Sequence, residues 1–147
     1  HVVVSVTTPD DDAIAHIEPG APTPTARIEV VRELADAGVP VEVSASPWIP
    51  GVSDVTSLAE RLGPSIAITV APLNVNSPEV ARTGYGRRFD QHEIDRAYLE
   101  ERERCGELAS LRWLPPLTAK RSDNHHQVML PIGTLRAVRQ RKGAAVT

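Results

Sequence analysis

A single cysteine, Cys105, in 147 residues excludes an intramolecular disulfide framework and fits a reducing compartment, so a cytoplasmic protein is expected. One thiolate cannot hold an iron–sulfur cluster either, since such clusters take several ligands. No apolar run approaches the ~20 residues of a membrane span, and no charged-then-apolar leader opens the sequence, so no membrane partner is expected. A net charge of -3 gives no general basic field for nucleic acid, although Arg136, Arg139, Arg141 and Lys142 form a local basic tail, read as a solvated end. The sequence also lacks a P-loop, a dinucleotide fingerprint, a nucleophile elbow and any repeat at a fixed period.

What is present is the composition of an ordinary globular protein, 41% hydrophobic and 24% charged,. The length suffices for one core and falls short of the about 250 residues of a complete eight-stranded β/α barrel. Residues 2–6 form an apolar, β-branched run expected to be a strand buried on both faces. The run has no turn before it and no initiator methionine, as expected of a fragment or trimmed chain. Ile28, Val31, Leu34 and Ala35 follow helical spacing after Thr23 and Pro24 and before Gly38, which predicts a helix over 26–37. The alternation of Val39, Val41, Val43 and Ala45 with Glu42 and Ser44 predicts a strand over 39–46, closed by Pro47. Asp54 caps a short helix bearing Val55, Leu58, Ala59 and Leu62. Residues 65–71 read as a third strand ended by Pro72.

Strands separated by helices argue for βαβ crossovers and a parallel sheet. Beyond it, 74–89 reads as a long loop, and Asp90 with Glu93 as a capping box opening a helix to about Cys105. Glu100 and Arg104 are placed as an i,i+4 pair on that helix. Residues 111–114 are a possible fourth strand, 120–126 a loop, 128–132 a short apolar run and 134–141 a last helix.

Two stretches are more specific than this pattern. Val4-Ser5-Val6-Thr7-Thr8 is followed by Ile17-Glu18-Pro19-Gly20-Ala21-Pro22-Thr23-Pro24 and Arg27. Ala37-Gly38-Val39-Pro40-Val41 then leads to Ser46-Pro47-Trp48-Ile49-Pro50-Gly51-Val52-Ser53-Asp54. Together, over 2–72, they resemble the middle of radical S-adenosylmethionine (SAM) proteins of the spore-photoproduct-lyase-like, DNA-repair-photolyase group. Gly20 stands where an arginine is usual in that group. The resemblance implies an α/β fold with a partial parallel β/α barrel (a TIM-like half barrel) over 1–72 and a helix and loop extension over 73–147. It implies a SAM cofactor and a 4Fe-4S cluster whose CxxxCxxC ligands lie in a missing N-terminal part. It further implies an electron donor such as flavodoxin or ferredoxin and, by analogy to the repair members, a nucleic acid substrate.

The same resemblance points to Ser5 and Thr7 as partners of the SAM ribose or carboxylate, and to Arg27 as a fork on that carboxylate. Ile49 would line the adenine, and Ala71 with Leu73 would offer main-chain contacts to its edge. Each has a plainer alternative in a strand cap, a solvated helix residue or a core side chain. The rival readings of the whole are a non-catalytic remnant or binding module and a β/α barrel fragment binding a phosphate ligand. Asp123, His125 and His126 are read as a solvated loop rather than a metal site, because adjacent histidines on a strand point opposite ways. Asp10, Asp11, Asp12 and Glu18 are read as a solvated acidic loop. Gly84-Tyr85-Gly86-Arg87-Arg88 is read as a loop with a weak nucleic-acid signature, and Cys105 as unreactive.

Overall fold

The computed structural model describes residues 1–78, 80 and 89–118. The readings made for Gly84 to Arg88, for Asp123, His125 and His126 and for the basic tail therefore lie outside the described residues, as do most of the 74–89 loop and the segments at 120–126, 128–132 and 134–141. The described chain runs β1 (Val2–Ser5), α1 (Asp11–Ile17), α2 (Pro24–Asp36), β2 (Val41–Trp48), α3 (Val55–Leu62), β3 (Ala67–Pro72), α4 (Gln91–Cys105) and β4 (Leu111–Trp113). It is an α/β fold with one four-stranded sheet in the order β1-β2-β3-β4, every neighbouring pair parallel.

The helices start and stop where local chemistry directs. Thr23 accepts from the Ala26 N–H as N-cap of α2, with Pro24 at the first helical position and Gly38 at φ 72° just past its end,. Asp54 accepts from the Ser57 N–H at the start of α3. At α4 the Asp90 carboxylate takes the His92 N–H at 2.8 Å and the Glu93 side chain reaches back to the Asp90 N–H. Asp90→Ala should therefore cost about 0.5–2 kcal/mol, read as a lower denaturation midpoint with an unchanged slope.

One side of the sheet carries the core. Val6, Val43, Ala45, Ile68 and Val70 pack with Ile28 and Val31 of α2, Val55, Leu58, Ala59 and Leu62 of α3, and Tyr98 of α4. Strand pairing is in register, so partners share a face. Val4, Val43, Ile68 and Leu111 make one row beneath the helices, and Ser5, Ser44, Thr69 and Arg112 make a row on the opposite face. That opposite face also carries Val3, 57% exposed, beside Glu42 and Ala67.

Several expectations change. β1 is not buried on both faces, because Val3 on the face away from the helices is exposed; it is also the first strand of the sheet, and among the described residues nothing pairs with its outer edge. Asp10 to Asp12 are no loop, because the Asp10 carboxylate caps α1 by accepting from the N–H groups of Asp12 and Ala13, and Asp11 and Asp12 fill its first turn. Pro47 does not close β2. The strand shifts register between Ala45 and Trp48 and runs on to pair Trp48 with Pro72, which is itself the last residue of β3. Arg104 pairs with Glu101, at 2.6 Å, instead of Glu100. Among the described residues, no helix is long and apolar enough to cross a membrane.

Candidate functional site

Parallel strands deliver their carboxyl ends to one edge, where loops gather ligand-binding groups. All six residues singled out above arrive there. Ser5 ends β1 and Thr7 follows it; Ile49 directly follows β2; Ala71 and Leu73 bracket the end of β3. The Leu73 N–H donates to the Trp48 carbonyl at 3.1 Å, which joins the ends of β2 and β3.

Arg27 reaches this edge from α2. Its Nε donates to the Pro22 carbonyl at 2.9 Å, Nη1 to the Ser5 carbonyl at 3.0 Å, and Nη2 to the Glu18 carboxylate at 2.5 Å. A guanidinium has five N–H groups, so two have no partner among the described residues. Glu18, the C-cap of α1, is thus a partner of Arg27 instead of a bystander in an acidic loop.

Thr7 is different in kind. Its side chain is buried, with the residue 2% exposed, and its Oγ1 has no hydrogen-bond partner among the described residues. Thr8 Oγ1, by contrast, accepts from the Asp10 N–H, and Ser53 Oγ accepts from the N–H of the buried Ile49, while Trp48 Nε1 and Trp113 Nε1 share with Thr7 the lack of a partner among the described residues. Leu73 is buried too, its carbonyl accepting from Gln91 Nε2 at 3.0 Å. Its main-chain donor and one acceptor lone pair are therefore already engaged.

The open face adds a group the sequence reading passed over. Glu42 accepts a short hydrogen bond from Thr69 Oγ1, and its Oε2 lies 3.8 Å from Arg112 Nη2 and 3.8 Å from His1 Nε2. The alternation of β2 already put Glu42 and Ser44 on one side. What the sequence lacked was the register that lines them up with Thr69 and Arg112.

Cys105 lies elsewhere, packed against the helix-covered core, with Sγ 3.4 Å from Thr56 Oγ1. Burial pushes its thiol up from the ordinary value, further than the Thr56 hydrogen bond lowers it, so it stays protonated at neutral pH. Among the described residues no cluster of His, Cys, Asp and Glu is placed to hold a metal ion. No family model, curated protein or solved structure matches this chain.

Proposed function

We propose that this chain is part of a radical SAM protein and that its carboxyl edge positions SAM within a partial parallel β/α barrel. One observation carries the reading: the Thr7 hydroxyl, buried and unpartnered at the end of β1, stands where the motif resemblance calls for a ligand contact. A buried hydroxyl without a partner costs about 1–3 kcal/mol, which a ligand oxygen would recover. Winding supports the barrel reading. A doubly wound sheet reverses strand order and carries helices on both faces, whereas here the order runs β1-β2-β3-β4 with α2, α3 and α4 packed into one core.

The donor set bears on which cofactor this chain would hold. One cysteine, packed into the core, does not fit a 4Fe-4S cluster,, so the cluster ligands and the flavodoxin or ferredoxin that would serve them belong outside these residues. SAM fits better: Thr7 offers a hydroxyl, Arg27 its two remaining N–H groups, Ile49 apolar surface and Ala71 main-chain contact. Bound SAM supplies a 5′-deoxyadenosyl radical once reduced; this chain's own residues bind and orient it. A nucleic acid substrate and a cytoplasmic setting complete the proposal.

Equilibrium dialysis of the full chain against labelled SAM tests the reading. Saturable binding is expected, weakened about tenfold or more by Thr7→Val, equivalent to about 1.4 kcal/mol. Undetectable binding, or binding that Thr7→Val leaves unchanged, overturns it. A second reading, a cluster-free binding module, is favoured by the internal satisfaction of Leu73 and of three Arg27 donors. It predicts a stably folded chain that does not retain SAM.

A further inference from the structure

The two outer edges of the sheet fit each other. In β1 the N–H groups of Val2 and, just past the strand, Val6 donate to Pro40 and Ser44, so alternate residues face β2 and the main-chain groups of Val3 and Ser5 point off the edge. The Ser5 carbonyl is already taken by Arg27 Nη1. What is left without a partner among the described residues is the Val3 N–H, the Val3 carbonyl and the Ser5 N–H.

At the other side of the sheet, Ile68 donates to the Ser110 carbonyl and Leu114 to Val70, so the residues of β4 that point off the edge are Leu111 and Trp113. The Leu111 N–H is used by the Leu108 carbonyl. Among the described residues, that leaves the Leu111 carbonyl, the Trp113 N–H and the Trp113 carbonyl without a partner.

Resting on the second reading above, a cluster-free binding module, we propose that β4 of one copy of this chain adds in parallel to β1 of a second copy, with Arg112 beside Val3. In that register the Val3 N–H meets the Leu111 carbonyl, the Trp113 N–H meets the Val3 carbonyl, and the Ser5 N–H meets the Trp113 carbonyl. The ladder stops where it should at both ends. Opposite the Ser5 carbonyl that Arg27 already satisfies stands Pro115, which has no N–H to offer. Opposite the His1 carbonyl stands the Leu111 N–H, already bonded. Val3 and Arg112 both lie on the face away from the helices, so neither strand must flip. The exposed Val3 side chain gains the aliphatic stem of Arg112 as a neighbour. Because the two edges differ, the contact is head-to-tail, and it closes as a ring or continues as a chain.

Light scattering of the full chain across a concentration series tests this, together with residue-resolved amide exchange. The weight-average mass should rise with concentration. The amides of Val3, Ser5 and Trp113 should become at least tenfold better protected on association, while those of Val4 and Arg112, bonded inside the sheet, stay protected throughout. Val3→Pro deletes one donor at an edge position whose N–H faces outward, where proline is tolerated, and should hold the mass at that of a single chain with the circular dichroism spectrum unchanged. A single-chain mass at every concentration overturns the proposal. So does association that leaves those three amides unprotected, which settles the matter even if Val3→Pro fails to fold.

Discussion

Tyr98→Ala should destabilise the fold by about 3–5 kcal/mol, the usual cost of deleting a buried aromatic. Against the 5–15 kcal/mol typical of a domain, that removes between about a fifth and the whole of the stability. Tyr98 is fully buried and stands edge-on between Trp48 and Trp113, with ring centroids 5.6 and 5.1 Å away. Its hydroxyl lies 2.8 Å from the Val70 carbonyl and 2.9 Å from that of Leu114, tying α4 to the ends of β3 and β4. Burial holds the phenol above its usual range, so it is a donor at neutral pH. Tyr98→Phe keeps the ring and loses the donor, and should cost about 1–3 kcal/mol. The difference between the two variants, measured by urea denaturation, separates packing from hydrogen bonding. Equal losses would mean that the aromatic stack contributes nothing.

Acidification should release the segment after β4 before it unfolds the sheet. Asp95 is buried in α4, and its carboxylate accepts from the Thr118 N–H and hydroxyl at 2.6 Å each and from Gln91 Nε2 at 3.0 Å. Burial alone would raise its pKa, but the bonds from Thr118 and Gln91 outweigh that and bring it below the ordinary 3.8. A carboxyl lowered in the folded state contributes stability above its unfolded value, and that contribution is lost as pH falls through the lowered one. The anchor should therefore hold at neutral pH and let go only below about pH 3.8. Asp95→Asn should remove the charge at every pH, cost about 1.5–3 kcal/mol at neutral pH and flatten the acid limb of the stability profile. Were Asp95→Asn to track the unaltered chain from pH 7 to pH 2, the anchor would have no energetic weight.

Most helix ends were legible because their signals are local. Thr23-Pro24, Asp54 and the Asp90–Glu93 box each act within one turn, and each caps the helix assigned to it. The miss was α1: Asp10 to Asp12 read as acidic solvent-facing residues, yet an aspartate followed by acids is also how a helix begins, and only Ile14 of α1 is buried. A helix so short and so polar shows little periodicity to detect. Arg104 is a register miss of one residue, since Glu100 and Glu101 are both within reach and only the packing of α4 turns one toward it,.

The sequence by itself determined the alternation of strands and helices, the caps of α2, α3 and α4 and the parallel sheet, because each depends on spacing along the chain, whereas the six site residues came from the motif resemblance. Tertiary structure alone decided that Arg27 spends three donors on Pro22, Ser5 and Glu18, that Glu42 meets Thr69 and Arg112, and that, among the described residues, β1 is an edge and Thr7 is buried without a partner. These depend on how the elements pack and on which strands are neighbours in what register: the Arg27 partners lie 5 to 22 residues away along the chain and those of Glu42 27 and 70 residues away.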